Sequence, residues 1–114
     1  MKNQDIQRVI QESVPGKQVT LAHLIASPAN DIYESLGVEP IGAIGILTLS
    51  PFETAMIAAD IASKAADVTI GFLDRFTGSV VIQGDVQSVA IALEDVLRIL
   101  HDNLGFSVEG LTRT

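Results

Sequence analysis

Ala43-Ile44-Gly45-Ile46-Leu47-Thr48-Leu49-Ser50-Pro51-Phe52-Glu53 is the stretch that decides how this chain folds. Residues 43–49 form a short aliphatic run of the length and composition of a central strand. The run passes directly into Ser50-Pro51-Phe52-Glu53, where serine at a cap position, proline in the first turn and glutamate three residues on spell a capping box. A strand over 43–49 followed at once by a helix is the predicted core junction. Working outward, residues 52–66 carry alanine at 55, 58, 59, 62, 65 and 66, which favours helix and lets a neighbouring backbone approach closely.

Downstream of that helix, Val68-Thr69-Ile70-Gly71-Phe72-Leu73 and Ser79-Val80-Val81-Ile82 flank Asp74-Arg75-Phe76-Thr77-Gly78, the pattern of two antiparallel strands joined by a glycine-containing loop. Gly84-Asp85 ends the second strand, and Asp85 is placed to cap a helix beginning directly after it. Val86, Val89, Ala90, Leu93, Val96, Leu97, Leu100 and Leu104 then recur at three and four, laying one apolar stripe on a sheet, and Gly105 stops the helix. The tail 106–114 shows no periodicity. Upstream, residues 17–26 contain the buried-strand run Val19-Thr20-Leu21-Ala22-His23-Leu24-Ile25. A short helix over 28–36 comes next, with Ser27 as its cap, Pro28 in its first turn and Gly37 as its stop. Residues 6–14 read as one more strand, closed by Pro15-Gly16. The order β-β-α-β-α-β-β-α implies an α+β fold, a ferredoxin-like antiparallel sheet with helices on one face.

Bulk properties narrow the function. At 114 residues the chain has one domain's length, and such a domain buries only about two-thirds of the surface its unfolded chain exposes. Yet 47% of its residues are hydrophobic and its mean hydropathy is +0.39, without an apolar run near the roughly 18 residues of a membrane span. The surplus is best hidden in a subunit interface. A net charge of −7 with scattered basic residues argues against nucleic-acid binding. The absence of cysteine excludes disulfides and thiolate chemistry and suits the cytosol. No serine lies in a nucleophile elbow, Ser50 and Ser88 being helix-start residues, and the glycines are spaced for turns rather than for a phosphate loop. The chain is read as a non-enzyme without cofactor or metal.

Ala43-Ile44-Gly45-Ile46, Ser63-Lys64-Ala65-Ala66-Asp67-Val68, Ile70-Gly71-Phe72 and Gly84-Asp85-Val86 together resemble the bacterial microcompartment shell domain. In the ordinary form of that domain the last strand and a short helix follow the long second helix. Here the comparable segment, Ala22-His23-Leu24-Ile25 and the helix over 28–36, precedes Ala43. That order is similar to the circularly permuted subclass of ethanolamine, propanediol and choline utilisation compartments, as are the stretch from Val14 to Ile25, Gly71-Phe72-Leu73-Asp74-Arg75-Phe76, and the ending Leu111-Thr112-Arg113-Thr114.

The resemblance implies a cyclic homohexamer in a shell wall, with other shell proteins and a targeting peptide of an encapsulated enzyme as partners. It divides the chain into an extension, 1–16, and a permuted shell domain, 17–114. Ile6, Arg8, Val9, Ile10, Gln11, Glu12 and Val14 of the extension would supply one strand to a six-stranded barrel over the axial passage. Closing six such strands on themselves removes every unpaired edge. The family's glycine-serine-glycine pore turn is replaced here by 74–79, and its basic residue after the last strand by Ser27.

Lys64 corresponds to the family's lysine at the edge between hexamers, against the plainer reading that it complements its helix's C-terminal dipole. Asp74 and Arg75 are candidates for an axial or intersubunit charge ring, against a solvated hairpin pair. Gly42, at a junction, is a candidate bend, and it and Gly45 mark a bend or close backbone approach. His23 reads as a packed, hydrogen-bonded histidine, and His101 as exposed. The competing functions are a small oligomeric ligand-binding regulatory module of the same shape and, behind it, an isomerase-like enzyme with sites between subunits.

Overall fold

The structure, a computed structural model, describes residues 16–114. Its elements are β1 (Gln18–Ile25), α1 (Asn30–Leu36), β2 (Ala43–Ser50), α2 (Thr54–Ala65), β3 (Thr69–Asp74), β4 (Ser79–Gly84), α3 (Val86–Leu104), β5 (Ser107–Val108) and β6 (Thr112–Arg113). One sheet runs β3-β4-β2-β1-β5, with β6 also paired to β1. The strand expected over 6–14 lies outside the described residues. The four longer strands are antiparallel, as expected, but the tail adds two short parallel pairings to β1. Two-residue strands carry no periodicity, so composition could not reveal them.

Alternation along β2 sets the layers. Ala43, Leu47 and Leu49 join the main core with Val80 and Ile82 of β4, the alanines of α2, and Val89, Leu93, Val96 and Leu100 of α3. Gly45 lies between them, and a Cβ there would meet Val89 Cγ1 at 2.8 Å and Ile82 Cγ1 at 3.0 Å. This glycine is thus a close approach between sheet and helix. Burying a leucine such as Leu93 contributes about 1.5–3 kcal/mol, so this layer dominates stability.

The expectation of helices on one face is corrected. Only α2 and α3 share a face, whereas α1 sets Tyr33 against Ile44 and Val81 on the opposite one. Ala43, Ile44 and Gly45 are all buried, so β2 begins covered on both sides, and its unbroken apolar run gave no polar alternation to show which face α1 takes.

Two helix starts move. Ser50 remains in β2, paired with Gln18, so it caps nothing; α2 begins at Thr54 after short turns from Thr54 N to Pro51 O (2.9 Å) and Ala55 N to Phe52 O (3.1 Å). Likewise α1 begins at Asn30, with Ala29 at the cap position and no side-chain cap. Ala26 N is still bonded to Thr114 O at 2.8 Å, which holds the chain extended past the expected cap, Ser27. The other ends are as read: Asp85 accepts from Ser88 N at 2.9 Å, and Gly37 and Gly105 close α1 and α3 with φ of 72° and 74°.

Candidate assembly surface

The strand registers sort the molecule into two ends. Gln18 pairs with Ser50 and Ser107, Thr48 with Ser79, and Asp74 with Ser79, so the start of β1, the end of β2 and the β3–β4 hairpin gather at one end. Ile25 pairs with Ile44, Ala43 with Gly84, and Thr69 with Gln83 at the other.

Along one flank runs β3, the outer strand of the sheet with no described strand beyond it. Ile70, Phe72 and Leu73 are all exposed on it. Phe72 pairs with Val81 and so lies on the α1 face, while Leu73 pairs with Val80 on the α2 side, beside Met56 and Phe76. Phe52 and Met56 of the α2 entry are each about half exposed. An edge strand with free backbone groups and apolar side chains on both faces is a template for association. Composition pointed to a covered face, but these residues were not singled out; the signal was there in three apolar residues over 70–73 with no polar one among them.

The hairpin tip is held from within. Gly78 has φ +78° and is buried against Leu49, whose N donates to Gly78 O at 2.8 Å; a Cβ on Gly78 would lie 2.2 Å from Leu49 O. Asp74 Oδ1 accepts from Phe76 N at 2.9 Å, and Gly78 N donates to Asp74 O at 2.9 Å. The Phe76 N–H foremost, with the Thr77 hydroxyl behind it, holds the Asp74 carboxyl below the ordinary carboxylate range. Arg75 stacks on Phe76, its guanidinium carbon 4.9 Å from the ring centroid, and Phe76 is 72% exposed. Asp74 and Arg75 are therefore adjacent but engaged with different partners.

Lys64 lies in the last turn of α2, its Nζ 2.9 Å from Asp60 Oδ2, with both side chains exposed. Such a pair is weak, so the ammonium is readily recruited elsewhere. Gly42 has φ +66°, and a Cβ there would lie 2.2 Å from Gly84 O, while its own carbonyl accepts from Tyr33 Oη at 2.6 Å. Its glycine is thus required by the fold of a single subunit. Ile6, Arg8, Val9, Ile10, Gln11, Glu12 and Val14 lie outside the described residues.

His23 is hydrogen-bonded as expected, though to the tail. His23 Nδ1 lies 2.6 Å from Thr112 Oγ1, which is also 3.2 Å from Ala22 O, and Nε2 faces Thr114 Oγ1 at 2.9 Å. His101 is exposed beside Asp102. Among the described residues no helix is long and apolar enough to cross a membrane, and no three His, Cys, Asp or Glu side chains gather as a metal site.

Residues 43–109 match the family model described as BMC domain. The chain is 60% identical over 109 residues to the bacterial microcompartment shell protein CutR of Streptococcus intermedius, covering 96% of this chain and 94% of that protein. It is 56% identical over 108 residues to the shell protein PduU of Salmonella typhimurium, covering 94% and 93%. A solved structure titled "CutR flat hexamer, form 1" superposes with a TM-score of 0.86 at 59% identity, covering 94% of this chain and 99% of that one. With its α+β layer of one sheet and three helices and these matches along nearly its whole length, the chain belongs to the BMC domain family of bacterial microcompartment shell proteins.

Proposed function

We propose that this protein is a structural tile of a bacterial microcompartment shell, six copies closing around an axis, with residues 1–16 over the central passage. The observation that carries the reading is the apolar, unpaired flank of β3 running into the hairpin, in a chain 59% identical to one solved as a hexamer. A heterologous contact through one flank closes into a ring when its rotation divides the circle. Its role is to build a wall and limit what crosses it, without catalysis.

The circular permutation is supported by where the family match begins. It starts at Ala43, yet β1, which precedes it, is the direct sheet neighbour of β2, the place a strand from the far end of an ordinary domain would fill. The six-stranded barrel of Ile6, Arg8, Val9, Ile10, Gln11, Glu12 and Val14 is supported by the exit point. Residues 1–15 join the chain next to Gln18, at the same end as the hairpin, so a cap and an axial loop belong to one side of the tile. On this reading Asp74 and Arg75 face the axis or the next subunit, Lys64 reaches a neighbouring hexamer, Gly42 lies where the tile bends, and the cap docks a targeting peptide.

Native mass measurement with negative-stain imaging tests the proposal. Rings of six that associate into sheets or curved assemblies are expected, and deletion of residues 1–14 leaves the ring intact. A stable single subunit at millimolar concentration refutes the tile.

A further inference from the structure

A ring closed through β3 needs a second, different patch to receive it, because head-to-tail contacts join unlike surfaces. The sheet order puts that patch on the opposite flank, where β5 and β6 line the outer side of β1. There Ser107 N donates to Lys17 O at 2.9 Å, Glu109 N to Val19 O at 3.1 Å and Thr114 N to Leu24 O at 2.8 Å, so the tail and β1 form one edge.

The two flanks carry opposite charge with the same spacing. On β3 the acids stand at the ends, Asp74 at the hairpin and Asp67 just before Thr69, and residues 68–73 between them are uncharged. On the tail flank the cations stand at the ends, Lys17 level with the hairpin and Arg113 beside Leu24, with Glu109 between them. Asp67 lies seven residues from Asp74 along a strand with one bulge, and Leu24 lies seven residues from Lys17 along another strand with one bulge, about 20 Å in each case. Asp67 and Arg113 are both exposed, and no described residue pairs with either. The apolar groups also correspond. Leu21 is 39% exposed and pairs with Thr48, whose neighbours Leu47 and Leu49 enter the main core, so Leu21 lies on the α1 face, as Phe72 does.

In a ring both flanks run from axis to rim, so hairpin end meets hairpin end and each acid meets a cation. A two-fold pairing of β3 with β3 would instead run the strands in opposite directions and set Asp67 against Asp74, acid against acid. We propose that the flank from Lys17 to Arg113 receives β3 of the next copy, with Asp67 paired to Arg113 and Asp74 to Lys17 across the seam and Phe72 laid against Leu21. This pairing rests on the ring reading and names its two surfaces.

The test uses the full-length protein with two single charge reversals, Asp67→Arg and Arg113→Asp, each alone and mixed in equal amounts, read by native mass spectrometry over a dilution series. Each variant alone brings like charges together at every seam, so its rings dissociate at a protein concentration about tenfold or more above wild type. In the mixture the introduced arginine meets the introduced aspartate at one seam, and the native pair meets at the next. Rings return to within about threefold of the wild-type concentration and hold the two variants in equal number. Recovery in a mixture cannot come from a contact within one subunit. Single variants as resistant to dilution as wild type, a mixture no more stable than its components, or rings of random composition would each overturn the pairing. Wild type forming no ring of six would remove the ring reading with it, whereas those three results beside intact wild-type rings remove the pairing alone.

Discussion

Truncating Phe72 to alanine should open the ring. Phe72 is 43% exposed on the outer strand β3, and an aromatic side chain presents about 150–250 Å², so roughly 65–110 Å² of it is wet in one subunit. At about 25 cal/mol per Å², covering that area contributes about 1.6–2.7 kcal/mol per contact, of which alanine retains a part. A net loss of about 1–2 kcal/mol weakens each contact about 5- to 30-fold. A closed ring of six loses six contacts over five dissociation steps, so the dissociation midpoint should move by about one to two orders of magnitude in protein concentration. Ile32 supplies the control: it is 39% exposed, nearly as much, but belongs to α1 and not to the outer strand β3. Sedimentation velocity over a dilution series reads both variants. Phe72→Ala rings that persist to the same dilution as wild type, or an equal effect of Ile32→Ala, would refute the assignment of the flank as the assembly surface.

Gly78→Ala, with a left-handed φ and a backbone oxygen where the methyl must go, should lower stability by at least about 1–2 kcal/mol, seen as a reduced urea midpoint at fixed protein concentration; Gly110→Ala, with nothing within 4 Å, should change little. The Asp85 carboxyl is held below its ordinary range, first by the Ser88 N–H and then by the Ser88 hydroxyl. A depressed folded value means its contribution is present above the ordinary carboxylate pKa and is lost as pH falls through the folded value. The melting-temperature advantage of wild type over Asp85→Asn should therefore be constant from pH 7 to about 5 and shrink below about pH 4. His23→Ala removes two side-chain bonds to the tail, each worth about 0.5–1.5 kcal/mol net, so exchange of the Thr114 amide, bonded to Leu24 O, should accelerate about 5- to 150-fold while the α3 amides keep their protection.

Where the sequence was legible, local chemistry and tertiary context agreed. The stripe of α3, its Asp85 cap and Gly105 stop, and the glycine-containing hairpin all appear as read, because each is decided within a few residues. The starts of α1 and α2 were misplaced because pairing at a distance overrode good caps: Ser50 is claimed by Gln18, and the chain beside Ser27 by Thr114. β5 and β6 were invisible for the same reason, since their bonds run to β1, about ninety residues earlier. Of the candidate site, the turn at Gly78 was legible, but Arg75 stacking on Phe76 was not. The hydrogen bond from the Gln83 amide to Glu39 O was hidden too, because a glutamine at a strand's end reads as solvated until the loop over 37–42 folds across it.

The two ends of the sheet tie the separate proposals together. α2 leaves the hairpin end just after Ser50, and its twelve residues rise about 18 Å toward the opposite end, which places Lys64 there. Gly42, beside Ala43 and against Gly84, lies at that same opposite end. A ring with the hairpin and the exit of residues 1–15 at its axis must therefore carry Lys64 and Gly42 at its rim, where one tile meets the next. The reverse orientation would send the extension outward and bring Lys64 to the centre, so a single crosslink separates them. Cysteine introduced at position 17 should couple within a ring and cysteine at position 64 between rings, and the opposite outcome would invert every axial and edge assignment at once.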